Sequence, residues 1–454
     1  MFDKVTKLEL SKSYFFKVIY REECEGFAAT LELTPELITF KVMTERSCKL
    51  SWNALEAECD DLTDKFLLKG LYCVGSRSAT ISAAPSVGFY EIEFAVESVE
   101  FCPKHAPYKG EFESIQIYSS TINDWIGYTT TQDNILHAHA KGEDISPHLT
   151  EFVAEANHAE EMGIQYNGTH RHSPLTYEQA FSFLPSLFYT FGIEENAKNP
   201  YITYTKIFNL LAFFTGIQPD VQRVDLEYDY NGYAMCGSLY FPTKDFKSNR
   251  SETYAMFPLG VNQRFDDWGL PPVPASAFSI YFAPGSELPD IFSKYVKYRT
   301  MGNVEDRLLG YFRLLEKHCY RRKNYLPDEL FTRYSRLSKK WAKANGLTTK
   351  EVKSFEGGLK RFNGQKYNTQ KCVTDFISSL PEEIQEGLGV TNDLLTEICT
   401  LRNNITHANK YNVEENKIYA YTAYVHHLLI FALLEKLGIE LPSVINLIGR
   451  LRNN

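Results

Sequence analysis

The stretch "NDLLTEICTLRNNITHA", residues 392–408, is the one from which the C-terminal half of the chain can be read. Leu394, Ile398, Leu401 and Ile405 recur every three or four positions, the spacing of one buried stripe on an α-helix. Asn403 and His407 are four apart, so they share a second face, off that stripe and exposed. Arg402 adjoins that face, five positions before the histidine. The same helical spacing extends outward over 288–300, 304–323, 328–345, 369–380 and 416–438. "FEGGLKRFNGQKYN" (355–368) reads as a basic loop containing glycine. Everything after about residue 285 is therefore expected to be helical.

The first part of the chain has another period. "FFKVIY" (15–20), "AATLELTPELITFKV" (28–42), "FYEIEFAVESVEF" (89–101) and "SIQIYSS" (114–120) alternate apolar and polar residues and are rich in β-branched and aromatic side chains, the pattern of half-buried strands. Residues 125–200 are less regular. A helix is expected over 203–217, and a hairpin over 221–242 with Asn231-Gly232 as its type I′ turn. "FSIYF" (278–282) reads as a last edge strand between two segments rich in Pro and Gly. The expected class is α+β multidomain: a β-rich region over 1–285, with a subdomain break near 125–200, then an all-α helical bundle over 286–454. The 454-residue length suits more than one domain.

Charge follows the same division. Residues 1–285 carry 22 Lys+Arg and 38 Asp+Glu, a balance of −16; residues 286–454 carry 26 and 19, a balance of +7. Residues 307–371 alone hold 17 basic and 5 acidic side chains. A basic helical half suits a polyanion, with Arg321, Arg322, Lys339 and Lys340 as candidate contacts, or is a solvated lysine-rich helical surface. Nine cysteines are scattered without a C-x-x-C pair, which reads as reduced thiols in a cytoplasmic protein. No apolar run near the N-terminus suits a secretory signal. "LLIFALL" (428–434) is far shorter than the roughly 20 residues of a bilayer span, so no membrane is expected. No P-loop, Rossmann, G-x-S-x-G or H-E-x-x-H motif occurs.

Two segments place a histidine five residues after an arginine. Arg313 and His318 lie inside a long amphipathic helix and read as structural. Arg402 and His407 lie near a helix end, with Asn403 beside the arginine. Six histidines between 137 and 172 (His137, His139, His148, His158, His170, His172) include "HAHA" and "THRH", which could hold a metal from a strand. No carboxylate or cysteine at a ligand spacing supports that, and loop histidines are the simpler reading. Either His426 or His427 in the last long helix could face the site, with packing or surface as the simpler reading.

"LRNNITH" (401–407) on the penultimate helix of an all-helical domain resembles the R-x4-6-H motif of HEPN-domain ribonucleases. "YFRLLEKHC" (311–319) is similar to the early HEPN helix that carries a glutamate, here Glu316. The order of a β-rich region and then helices looks like the ApeA-like HEPN proteins, bacterial anti-phage proteins. The resemblance implies a metal-independent endoribonuclease in anti-phage defence, with no cofactor. Its catalytic residues would be Arg402, Asn403 and His407, and its target host RNA, with tRNA among the candidates. It implies a homodimer with a composite site, and a phage-derived trigger acting on the N-terminal region.

The residues suit that chemistry by themselves. RNA cleavage without a metal needs a base for the 2′-hydroxyl, an acid for the leaving 5′-oxygen, and positive charge at the phosphorane. Histidine fills either proton-transfer role, and arginine clamps phosphate oxygens with a planar fork. Five residues are roughly 140° and 7.5 Å along a helix, so Arg402 and His407 do not point one way. One histidine per chain also leaves the reaction short of an acid or a base, which a two-fold partner supplies. The alternative from another class is a non-catalytic dimeric module that binds nucleic acid or protein, with a β-domain that recognises a protein or sugar.

Overall fold

The structure is a computed structural model and describes residues 7–22, 25–45, 56–81, 84–108, 111–127, 129–143, 148–157, 160–173, 178–192, 197–243, 273–321, 324–364, 369–389 and 391–452. It divides into two compact units, Met1–Ser293 and Lys294–Asn453.

The first unit is built on fourteen strands: β1 (Tyr14–Glu22), β2 (Glu25–Leu33), β3 (Ile38–Glu45), β4 (Glu56–Asp60), β5 (Asp64–Lys69), β6 (Tyr72–Ile81), β7 (Ala84–Val96), β8 (Ser98–Pro103), β9 (Ser114–Ser119), β10 (His148–Asn157), β11 (Glu160–Ser173), β12 (Glu178–Thr190), β13 (Val221–Tyr230) and β14 (Tyr233–Tyr240). They form one sheet in the order β10-β11-β12-β9-β13-β14-β8-β5-β4-β1-β2-β3-β7-β6. Alternation decides which side chains face the core: in β5, Asp64, Phe66 and Leu68 are buried and the residues between them are not. Helices α1 (Ser120–Ile126), α2 (Thr130–Lys141), α3 (Pro200–Thr215) and α4 (Ala275–Phe282) accompany the sheet. α1 packs over β9, β12 and β13, and α4 over β10. The hairpin turn is as read: Asn231 and Gly232 take φ of 56° and 84°, the pair of positive values that a type I′ turn needs.

Two expectations for this unit fail, and three strands carry no legible pattern, each for a local reason. "FSIYF" is not a strand but part of α4, where Ala277 and Tyr281, four apart, are both buried; five aromatic-rich residues are too few to separate the two periods. The described residues of 125–200 are regular. They hold α2 and three long strands, with the alternation interrupted by Gly163, Gly168 and Pro185. Finally, β4 to β6 were not read, because charged and small residues dilute their pattern.

The second unit comprises the end of α5 (Leu288–Arg299), then α6 (Val304–Cys319), α7 (Asp328–Ala344), α8 (Thr349–Asn363), α9 (Thr369–Ser379), α10 (Glu382–Leu388), α11 (Asn392–Thr406), α12 (Glu415–Lys436) and α13 (Leu447–Arg452). α6 is its centre, packing on α9, α11 and α12. "LLIFALL" belongs to the 22-residue α12, which is longer than that run suggests. By length and composition α12 could cross a bilayer, but 67% of its apolar window is buried within the protein, as in a core helix.

The expected basic loop over 355–368 is also corrected. Residues 355–363 are the second half of α8, and 365–368 lie outside the described residues. Gly357 and Gly358 each cost a helix roughly 1 kcal/mol against alanine. The capping box of Thr348 and Glu351 opposes that cost. A Cβ on Gly358 would meet nothing within 4 Å, whereas one on Gly310 of α6 would lie 2.3 Å from Cγ of Tyr298. Gly358→Ala is therefore expected to raise stability by about 1 kcal/mol, and Gly310→Ala to lower it by about 1–3 kcal/mol. Thermal unfolding of the two variants measures both signs.

Candidate functional site

α11 starts at Thr391, whose Oγ1 accepts from the Leu394 N–H at 3.2 Å. Its buried residues are Leu395, Ile398 and Leu401. Leu394 and Ile405, expected in that stripe, are only half-buried, and Leu395 takes the place of Leu394. The helix ends at His407, whose N–H bonds the Asn403 carbonyl at 3.0 Å. Ala408 then turns left-handed at φ 52°. Its N–H reaches the Ile405 carbonyl at 3.2 Å, and that of Asn409 reaches Asn404 at 2.9 Å. These bonds close the last turn and leave the His407 side chain exposed on a defined backbone.

Arg402 is held from three sides. Its Nη2 donates to Oε2 of Glu316 on α6 at 2.8 Å, and its Nη1 donates to Asn403 Oδ1 at 2.9 Å. Its guanidinium carbon lies 5.4 Å from the centre of the Phe312 ring, within cation–π range. Glu316 is itself fixed, since Thr369 Oγ1 on α9 donates to Oε1 at 2.8 Å. Both partners of the ion pair are mostly buried, with side-chain exposures of 23% and 16%. Phe312 and Glu316 are one turn apart on α6, so one helix face carries both supports. With five N–H donors, the arginine has capacity beyond these two bonds. Asn403 is exposed beside it. Half-buried nearby, the Cys399 thiol is pushed up to about 11 by desolvation, against the opposing pull of Arg402, so it is protonated at neutral pH.

Arg402 and Asn403 are thus brought together, with the exposed His407 one turn beyond Asn403. The sequence reading had linked Glu316 to the early helix but had not paired it with Arg402. Phe312 and Thr369 were missed altogether, because their spacing from the motif carries no signal until α6 and α9 pack on α11.

Of the candidate RNA contacts, Arg321, Lys339 and Lys340 are exposed, and Lys339 lies 3.4 Å from Glu356. Arg322 falls outside the described residues. The other histidines take structural places. His318 Nε2 lies 2.9 Å from Glu435, and its ring meets Phe376 edge-on at 5.0 Å. Burial holds its pKa below the usual value against the pull of Glu435. His318→Ala is expected to cost stability through lost packing against Phe376 and Glu435, which thermal unfolding of the variant measures. His426 hydrogen-bonds the Tyr295 hydroxyl at 2.9 Å and stacks on Tyr311 at 4.7 Å. Desolvation, and then the Arg299 charge, depress its pKa well below the usual value, so it is neutral at physiological pH.

The His137–His172 group does not assemble as read. "HAHA" lies on α2, not on a strand, and His137 and His139 are exposed. Two residues apart on a helix is about 200°, so the two do not face one ligand. His148, His170 and His172 are in strands, but their side chains, like the whole of His158, lie outside the described residues. Among the described residues no group of three or more His, Cys, Asp or Glu is placed to hold a metal ion.

Comparison with known proteins adds one match. Residues 309–442 fit the model of the Apea-like HEPN family. No curated protein and no solved structure matches the chain. The matched segment begins within α6, which carries Phe312 and Glu316, and runs beyond α12, so it contains Arg402, Asn403 and His407. The helical C-terminal region contains an Apea-like HEPN domain over residues 309–442, and a β-rich sheet region precedes it in the chain.

Proposed function

We propose that the HEPN domain is a metal-independent endoribonuclease that cleaves host RNA in anti-phage defence. The observation that carries this reading is the exposed Asn403 and His407 face beside an arginine anchored by Glu316 and Phe312. HEPN domains are generally ribonucleases, and the Apea-like group supports a defence role. Anchoring fixes the guanidinium before RNA arrives, so positive charge at the phosphate needs little reorganisation during the reaction.

In the proposed reaction a base takes the 2′-hydroxyl proton and the 2′-oxygen attacks the adjacent phosphorus. The bond to the 5′-oxygen breaks, and an acid gives that oxygen a proton. The products are a 2′,3′-cyclic phosphate and a 5′-hydroxyl. His407 fills one proton-transfer role, Arg402 meets the phosphorane charge, and Asn403 bonds the phosphate or orients the arginine. A second copy of the chain contributes the second histidine, which makes the active form a homodimer. Basic side chains of α7 and α8 guide the RNA, with tRNA among the candidate targets. A phage-derived signal acting on the β-rich region is the proposed trigger, and the cytoplasm the proposed site of action.

Proton transfer and arginine charge suffice for this reaction. Cleavage is therefore expected to continue in excess EDTA and to leave 3′ ends that need cyclic-phosphate opening before ligation. Activity lost in EDTA and restored by Mg²⁺ or Mn²⁺ would contradict the mechanism.

A further inference from the structure

The β-rich unit contains a cavity of about 310 Å³ lined by Glu58, Lys65, Leu67, Glu100, Cys102, Tyr108 and Phe112, among others. Register explains its floor. Leu67 pairs across the sheet with Glu100, Lys65 with Cys102, and Glu58 with Leu67, so their side chains rise from one face of β4, β5 and β8. The roof is aromatic: Tyr108 and Phe112 follow β8 in the chain, with ring centres 3.9 Å apart and planes within 4°. Tyr228 meets both rings edge-on, and its hydroxyl donates to the Ala106 carbonyl at 2.7 Å.

Glu100 is the unusual wall. It is 3% exposed, and among the described residues its Oε2 has no hydrogen-bond partner. Lys69 Nζ lies 3.0 Å from Oε1 as an ion pair, and no ion pair is made by Oε2 among the described residues. Burial drives its pKa up to about 7 even with Lys69 beside it, so one lysine does not compensate this carboxylate. Lys65 is already paired with Glu58 at 2.7 Å.

We propose that this cavity binds a small organic cation, with its ammonium or amidinium N–H groups on Glu100 and its apolar body against Tyr108 and Phe112. Three features favour a cation over a neutral ligand. The carboxylate has an oxygen to give, in a site of low dielectric where a charge pair counts for most. Aromatic faces attract positive charge. The −16 balance of residues 1–285 raises the local concentration of cations. The volume lies at the lower end for small-molecule pockets, which limits the body to about one ring.

The test uses the full-length protein and two probes of one shape, benzylammonium and benzyl alcohol, titrated by ligand-observed NMR at about pH 8, where Glu100 is ionised. Benzylammonium is expected to bind about tenfold more tightly than the alcohol. Glu100→Gln should remove that preference and leave the alcohol unaffected. Tyr108→Ala keeps the carboxylate but removes one ring, and should weaken the cation severalfold; it carries the test if Glu100→Gln does not fold. Equal affinity for the two probes, no binding of benzylammonium, or an unchanged preference in folded Glu100→Gln would each overturn the proposal.

Discussion

Replacing His407 by alanine is expected to lower the rate of RNA cleavage by about 10²–10⁴-fold, the usual cost of losing a general acid or base. The protein should stay folded. His407 is exposed and caps the helix through its backbone N–H, which alanine keeps, so the stability change should stay within about 0.5 kcal/mol. Single-turnover cleavage, with circular dichroism as the folding control, reads both. In the two-fold site proposed here each active centre loses both of its histidines, which puts the effect toward the top of that range. Wild-type cleavage by the pure variant would remove the assignment.

The second large effect is expected at Arg402. Lysine keeps the charge but loses the fork, and here separate nitrogens bond Glu316 and Asn403. One ammonium on a flexible stem cannot hold both and also address a phosphate in a fixed direction. Arg402→Lys is expected to reduce kcat about 100-fold, the order found when one preorganised donor is removed from a reacting centre. KM should change less, because the loss falls on the transition state. Glu316→Gln leaves an acceptor for the arginine without the carboxylate charge. As Glu316 supports the proposed reaction by holding Arg402, a loss of about tenfold is expected. If Glu316→Gln is as damaging as Arg402→Lys, the carboxylate itself takes part in the reaction.

The elements legible in sequence were those with a clean period. α6, α11 and α12 have apolar residues at helical spacing, and β1 to β3 and β7 alternate. Asn231-Gly232 marked its turn because few other residue pairs accept two positive φ values. Elements with mixed signals were misread: α4 because five residues, three of them aromatic, suit either state, and α8 because Gly357 and Gly358 resemble a loop while the capping box at Thr348 lies upstream of them. The site followed the same logic. Arg402, Asn403 and His407 are local and could be found from spacing and residue type. The groups that aim the arginine are not local. Glu316 lies 86 positions away and Thr369 a further 53 from Glu316, and only packing around α6 unites them. The cavity at Glu100 had no sequence signature at all, since its walls come from three strands and the segment after β8.

The account rests on RNA being cut at a site containing His407. Its most direct test is to map RNA 5′-hydroxyl and 2′,3′-cyclic phosphate ends in cells expressing the full-length wild type beside cells expressing His407→Ala at the same level. A discrete set of paired ends is expected in the wild type, concentrated in particular RNAs under activating conditions, and absent with the variant. The same ends at the same abundance in both would contradict it and return the HEPN domain to a binding role.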